Sequence, residues 1–129
     1  RSRGLGDVYK RQAVTALKKN PCEETLWNCI VAFRGYKFKT LSGLLFTYQL
    51  KKGRGDVFTK ELWIERREDS KSLAWSSVLL AYHNIGEIGE VLDRPKTLGD
   101  VRGVSYIYGM FYRFGLIDVP EKVKKKMTE

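Results

Sequence analysis

Cationic and aromatic side chains alternate near the middle of the chain, a combination suited to phosphate groups and exposed bases. The alternating residues are Tyr36, Lys37, Phe38 and Lys39, and Lys51, Lys52 and Arg54 follow in a Gly-rich loop. Successive side chains of a strand point to opposite faces, so the two lysines share one face and the two aromatic rings share the other. The alternative is therefore a solvated basic face whose aromatic side chains belong to the core.

A second basic segment lies further along the chain, at Arg94, Lys96 and Arg102. The residues from Thr97 to Ser105 resemble the turn and second-helix start of a helix-turn-helix, although the preceding helix is short. The resemblance implies that Arg102, Tyr106 and Arg113 line the outer face of the following helix and that Ser105 contacts a phosphate. The alternative is a Gly-rich connection before a core helix. The residues predicted to bind nucleic acid are Lys37, Lys39, Lys51, Lys52, Arg54, Arg94, Lys96, Arg102, Ser105, Tyr106 and Arg113.

No pattern in the sequence predicts a catalytic site, a metal site or a cofactor site. The chain has a single His, His83, and contains neither a Gly-x-Ser-x-Gly nucleophile turn nor a Walker loop. Cys22 and Cys29 fall on one predicted helix, where two turns separate their Cα atoms by about 10.5 Å, too far for a disulfide. We expect a non-enzymatic protein that binds no metal and no cofactor.

The composition is typical of a folded domain. The chain has 129 residues, of which 43% are hydrophobic and 30% charged, and its formal net charge is +9. The longest apolar run, residues 78–82, is far shorter than the ~20 residues of a membrane span, and no signal-peptide pattern is present. Two cysteines are too few for a disulfide scaffold. We expect a cytoplasmic protein without a membrane partner.

The order of the predicted elements indicates the fold class. A helix is expected from Asn20, its cap, with Pro21 at the first helical position, to Gly35. Alternating residues predict three antiparallel strands. Helices are expected after a cap at Ser70 or Ser72, after a capping box at Thr97, and over residues 104–114. The strands are predicted at residues 36–40, 44–51 and 59–66. We therefore expect an α+β fold, with an N-terminal helix, a three-stranded antiparallel sheet and two to three helices packed on it.

The opening segment has a separate resemblance. Residues 2–12 resemble, codon for codon, the translation of a transposase-based sequencing adapter, which implies a metagenomic read and excludes the segment from the native fold. The alternative is a basic arm for nucleic acid. Without residues 1–12 the formal charge falls to +6, because four cations and one acid are removed. The expected organisation is an adapter artefact at residues 1–12, one globular domain at 13–119 and a basic tail at 120–129.

Residues from about 20 to 119 resemble small reading frames from gut bacteria. The shared features are a Tyr-x-Phe-x-Thr-x-Ser-Gly hairpin at Tyr36–Gly43, a Lys-Ser pair at Lys71–Ser72 and a Ser-Tyr-x-Tyr helix at Ser105–Tyr108. The resemblance implies a compact domain without assigning it an activity. The helix–three-strand–helix order is also similar to that of double-stranded-RNA-binding domains, but the Lys-rich helix start of that family is replaced here by a nearly neutral segment.

Two functions remain open from the sequence. The first is a small basic nucleic-acid-binding regulator from a mobile element, with DNA favoured over RNA. The second is a protein-interaction module, such as a phage or plasmid inhibitor of a host protein. A large exposed apolar patch around Trp63, Tyr106 and Tyr112 would favour the second function.

Overall fold

Residues 2–65 and 70–128 are described by a computed structural model. The chain divides after Arg34 into two units, Arg1–Arg34 and Gly35–Glu129. The described residues combine helices with an antiparallel sheet, which confirms the predicted α+β class. None of the helices in the described ranges is both long and apolar enough to cross a bilayer.

The first unit consists of two helices that pack against each other, α1 (Ser2–Lys19) and α2 (Glu23–Ala32). The adapter-like segment and the residues after it share α1 without a break, and Val8 and Tyr9 on it are exposed. The expected boundary at residue 13 therefore does not coincide with the end of an element, and it stays a prediction.

The predicted start of α2 is wrong by two residues. Its cap is Cys22, whose backbone is extended, and Pro21 precedes the helix. The Thr25 hydroxyl accepts a hydrogen bond from the Cys22 N–H at 3.1 Å and donates one to the Asn20 carbonyl at 2.8 Å. Thr25 thus satisfies a backbone donor at the helix start, which the Asn20 side chain was expected to do.

Both cysteines are free thiols, as the helical spacing predicts. Cys29 is buried, and burial raises the pKa of its thiol to about 12. Cys22 is only half-buried. The hydrogen bond from the Thr25 side chain lowers the pKa of Cys22 below its ordinary value.

The second unit is built on a four-stranded antiparallel sheet in the order β1-β2-β3-β4. The strands are β1 (Phe38–Lys39), β2 (Leu45–Lys52), β3 (Phe58–Glu65) and β4 (Ser70–Ala74). The alternation predicted for two of them is confirmed, because Phe46, Tyr48 and Leu50 of β2 and Leu62 and Ile64 of β3 are buried. The pairing of Tyr48 with Ile64 places these side chains on one face.

The fourth strand corrects the predicted sheet of three. Ser70 or Ser72 was expected to cap a helix, but both lie in β4, where Ser72 pairs with Trp63 and Leu73 pairs with Leu62. Serine is common both at helix caps and in strands, so the local sequence does not decide between them. The pairing with β3 buries Leu73, and this tertiary contact decides for the strand.

Three helices accompany the sheet: α3 (Trp75–His83), α4 (Val104–Phe114) and α5 (Glu121–Thr128). The short helix predicted after Thr97 is instead a 3₁₀ turn at Pro95–Leu98, with Pro95 at its start. Residues 121–128, expected to be a basic tail, form α5, which packs against β1. Two further short strands, β5 (Glu90–Val91) and β6 (Ile117–Asp118), pair in parallel.

Aromatic rings fill the space between the sheet and α4. Phe38 stacks against Phe46 with ring centroids 5.4 Å apart and against Tyr48 at 5.7 Å. Phe114 of α4 meets Phe38 edge-on at 6.2 Å. Offset and edge-on arrangements of this kind stabilise a core beyond the area they bury. Phe38 is therefore the residue through which β1, β2 and α4 share one core.

Two tryptophans, Trp27 on α2 and Trp75 at the start of α3, differ in burial. Trp75 is 6% exposed, whereas Trp27 is half-buried. We expect Trp75→Ala to lower the free energy of unfolding by about 3–5 kcal/mol, because it leaves a large cavity. Trp27→Ala should cost clearly less, since solvent fills part of the vacated space. Urea unfolding of both variants tests this, and equal losses would contradict the burial of Trp75.

Ionisation of Tyr108 makes the stability of the fold depend on pH in the alkaline range. Its buried hydroxyl donates a hydrogen bond to the Leu92 carbonyl, and burial, with a smaller contribution from Asp93, raises its pKa to about 12. An unfolded Tyr ionises near pH 10, so this phenol stabilises the fold fully below pH ~10 and loses that effect between ~10 and 12.

We therefore expect Tyr108→Phe to cost about 1–3 kcal/mol at pH 7, because the Leu92 carbonyl loses this donor. The difference between variant and parent should shrink above pH ~10. Chemical unfolding of both proteins from pH 7 to 11 measures it. Cys29 is present in both, so its own titration cancels. A difference that grows with pH would contradict the assignment.

Candidate nucleic-acid interface

A pocket of about 400 Å³ lies where the edge strand β1 meets the C-terminal half of α4. Three of the residues predicted to bind phosphate, Lys37, Lys39 and Arg113, line it together. Its full lining is Tyr36, Lys37, Phe38, Lys39, Gly109, Tyr112, Arg113 and Met127. The sequence had placed the lysines and Arg113 on two separate surfaces, and the fold brings them to one.

The position of β1 at the sheet edge explains why residues from both of its faces line the pocket. At an edge the strand has no neighbour on one side, so side chains that point up and down both border the open space. Lys37 is exposed and Lys39 is half-buried. Within residues 2–65 and 70–128, neither ammonium group forms an ion pair. Two uncompensated positive charges therefore flank the pocket.

Arg113 is attached to the opposite wall through Tyr36. Its Nε donates a hydrogen bond to the Tyr36 hydroxyl at 2.9 Å, and its guanidinium carbon lies 5.2 Å from the centre of the Tyr36 ring. A cation at this distance from an aromatic ring is attracted to it. Tyr36 in turn meets Phe38 edge-on at 4.9 Å. The core thus orients Tyr36, and Tyr36 orients the guanidinium.

The floor of the pocket depends on Gly109, which is buried in α4. A Cβ at this position would lie 2.6 Å from the carbonyl oxygen of Lys39 and 3.4 Å from the Phe46 ring. The contact at 2.6 Å involves backbone on β1, which has little room to move. Glycine therefore lets α4 approach β1 more closely than any side chain would allow.

Tyr112 contributes a half-buried ring next to Arg113 on α4. Among the described residues this side chain has no aromatic, cationic or hydrogen-bonding partner. Met127 of α5 completes the lining and is 8% exposed. The same helix carries Lys122, Lys125 and Lys126, all exposed. The C-terminal segment thus forms one wall of the pocket and adds positive charge to the same unit.

A second group of predicted residues lies at the tip of the β2–β3 hairpin. Lys51, Lys52 and Arg54 are all exposed there. The Lys51 Nζ lies 3.9 Å from the centre of the Trp63 ring, and the Lys52 Nζ lies 5.7 Å from that of Phe58. Each ammonium group is attracted to its aromatic ring, and both lysine side chains remain exposed at the surface. The hairpin therefore presents a group of charges separate from the pocket.

The third predicted group surrounds the start of α4. Arg94, Lys96, Arg102 and Ser105 are exposed, whereas Tyr106 is half-buried and packs edge-on against Phe46 at 5.0 Å. The element before α4 is a 3₁₀ turn and not the first helix of a helix-turn-helix. Most of α4 faces the core, with Ile107, Met110 and Phe111 fully buried. Only Ser105 and Arg113 of α4 are exposed, too few to form a base-reading face.

Other chemistry-bearing residues do not assemble into a site. His83 is exposed at the end of α3, next to the Tyr82 ring. In the part of the chain that the structure describes, no three His, Cys, Asp or Glu side chains are placed to hold a metal ion. Glu87, Glu90 and Asp93, the acidic residues of segment 73–93, are all exposed.

Sequence reasoning missed five of the eight residues that line the pocket. Tyr36 and Phe38 were assigned to the core, and Tyr112 was considered only for the protein-interaction patch. Gly109 and Met127 were not assigned to any binding site. A local signal existed only for Met127, because Val119, Val123 and Met127 recur every four residues, as on one face of a helix. The run of lysines between them concealed that periodicity.

The approach of α4 to β1 is open to a direct test. We expect Gly109→Ala to lower stability by about 1–3 kcal/mol, since the new methyl group overlaps the Lys39 carbonyl. Gly86→Ala is the matched control, because the nearest atom to its Cβ is the movable Glu90 carboxylate at 3.4 Å. Thermal unfolding of both variants gives the comparison. Equal tolerance of the two substitutions would rule out the close contact.

No family model, curated protein or solved structure matches the chain. The pocket at β1, the hairpin tip and the loop before α4 are thus the features on which a function can be based.

Proposed function

We propose that the chain is a small, basic, non-enzymatic regulatory protein that binds nucleic acid in the cytoplasm, with DNA favoured over RNA and an origin in a mobile element. The observation that carries the proposal is the convergence of Lys37, Lys39 and Arg113 on one pocket lined by aromatic rings. Cations beside aromatic faces match the phosphates and bases of a nucleic acid.

The overall charge supports the same partner. The formal charge falls from +9 to +6 without residues 1–12, so most of the positive charge lies outside the adapter-like segment. Within the described ranges, Lys51, Arg54, Arg94, Lys96 and Arg102 form no ion pairs, as is also true of the pocket lysines. Cations that are not neutralised locally attract a polyanion and release its counterions on binding.

The hairpin tip and the pocket have different roles in this proposal. Lys51, Lys52 and Arg54 are exposed and bind backbone phosphate without reading bases, while the pocket adds aromatic surface to its charges. The loop from Arg94 to Arg102 contributes further phosphate contacts. Base reading by α4 has little support, because six of its residues are buried.

The alternative, a protein-interaction module, has weaker support. It depends on an exposed apolar patch around Trp63, Tyr106 and Tyr112, but all three rings are half-buried. Large apolar side chains are exposed elsewhere, including Leu44 and Leu45 at the start of β2. Exposed apolar side chains in such small numbers are common on globular domains.

Replacing Lys51, Lys52 and Arg54 together by Gln tests the proposal. The change removes three surface charges and leaves the core intact. We expect weaker binding to duplex DNA, and a plot of log K against log salt that is shallower by roughly 0.9 for each phosphate that the variant no longer neutralises. Fluorescence anisotropy between about 50 and 200 mM salt, with duplex DNA, single-stranded DNA and RNA, measures both quantities.

The acidic segment provides the control. Glu87→Gln with Glu90→Gln should leave the affinity unchanged or raise it slightly, since it removes negative charge. Absence of binding to all three nucleic acids at the lowest salt would refute the proposed function, because electrostatic attraction is strongest there. Tighter binding to RNA than to DNA would refute the preference for DNA.

A further inference from the structure

We infer that the pocket at β1 takes one unstacked nucleotide of a single strand, whose base stacks on Tyr112 and whose phosphates contact Lys37, Lys39 and Arg113. This inference rests on the proposed function and specifies that the pocket binds single-stranded nucleic acid. It is distinct from the hairpin tip, which presents charge without a pocket.

The shape of the site excludes a paired base. The pocket lies in the recess between an edge strand and a helix, and its volume of about 400 Å³ is near the lower end of the range for small-molecule sites. In a duplex the base faces are covered by stacking neighbours, so only groove edges and backbone reach a protein. A single strand can turn a base out of its stack, and that base can enter a recess.

Tyr112 is the ring best placed to receive the base. Tyr36 already contacts the Arg113 guanidinium and the edge of Phe38, and Phe38 is buried. The Tyr112 side chain is half-buried in the lining and has no aromatic, cationic or hydrogen-bonding partner in the described ranges. Its ring is thus held by the helix and remains available for stacking, which tolerates any base because every base has a π-face.

The cations are arranged to follow a backbone past this ring. Lys39 lies in β1 and Lys37 immediately precedes the strand, and two residues of extended chain span about 6.8 Å. This spacing allows the two ammonium groups to contact neighbouring phosphates of a strand. Arg113 approaches from α4, with its guanidinium oriented by the Tyr36 hydroxyl and ring. The base therefore lies between positive charges supplied by a strand and by a helix.

The deciding experiment measures the affinity of the full chain by fluorescence anisotropy with a labelled oligothymidylate of about ten nucleotides, a size within the range of single-strand sites. We expect Tyr112→Leu to weaken binding about tenfold, because the variant has no ring on which the base can stack. Tyr112→Phe keeps the ring and should stay within about twofold of the parent. Affinity for duplex DNA of the same length should not change in either variant.

A second measurement does not depend on the folding of a variant. The parent protein should bind an abasic oligomer of the same length about tenfold more weakly than oligothymidylate, because only the phosphates remain. Lys39→Gln tests the charge, and Lys71→Gln is its matched control on β4, the opposite edge of the sheet. For oligothymidylate, we expect the plot of log K against log salt to become shallower by about 0.7 in Lys39→Gln. Lys71→Gln should leave this slope unchanged.

The outcomes separate this inference from the proposed function. If the parent binds oligothymidylate and its abasic counterpart equally well, or if Tyr112→Leu weakens duplex and single-strand binding alike, the pocket does not take a base, and the inference fails while nucleic-acid binding stands. If the parent binds no nucleic acid at low salt, the proposed function fails, and the inference fails with it.

Discussion

The close contact between α4 and β1 is the constraint on which the second unit depends. Gly109 has no side chain, and a single Cβ there would lie 2.6 Å from the Lys39 carbonyl. Because the helix approaches this closely, Phe114 meets Phe38 edge-on, and Phe38 in turn stacks on Phe46 and Tyr48. A larger residue at 109 would move the helix away from the sheet and loosen the ring contacts that join α4, β1 and β2.

The same contact produces the candidate site. An edge strand that is crossed closely by a helix leaves a recess beside the crossing, and the residues next to Gly109 in space then line it. Arg113 lies about one turn beyond Gly109 on α4, so it reaches Tyr36, a partner 77 positions away in sequence. The aromatic core therefore determines where the guanidinium, Lys37 and Lys39 lie. The packing of α4 on β1 and the placement of the cationic side chains thus have the same structural cause.

The parts of the fold that are predictable from the sequence are those with a clear period. Phe46, Tyr48 and Leu50 recur every two residues, and Ile107, Phe111 and Phe114 recur every three to four, so the buried faces of β2 and α4 follow from spacing alone. The errors occur where the local signal is compatible with two structures. Ser72 suits a cap or a strand, and the lysines of residues 122–126 suit a tail or the outer face of a helix. Pairing with β3 and packing on β1 resolve these cases, and both are tertiary contacts.

The candidate site was less predictable than the fold for a related reason. The cationic residues could be selected by residue type, because the excess of Lys and Arg over Asp and Glu is evident from the composition. Their grouping could not, since Lys37 and Arg113 become neighbours only through the approach of α4 to β1. The sequence placed Tyr36 in the core on the argument that it shares a face with Phe38. That argument holds along a paired strand, but β1 begins only at Phe38, so Tyr36 lies before the strand, is half-buried and lines the pocket. Alternation with lysine therefore predicts a buried aromatic ring only where the strand is paired, as at Phe38, and the sequence pattern does not show at which residue the pairing begins.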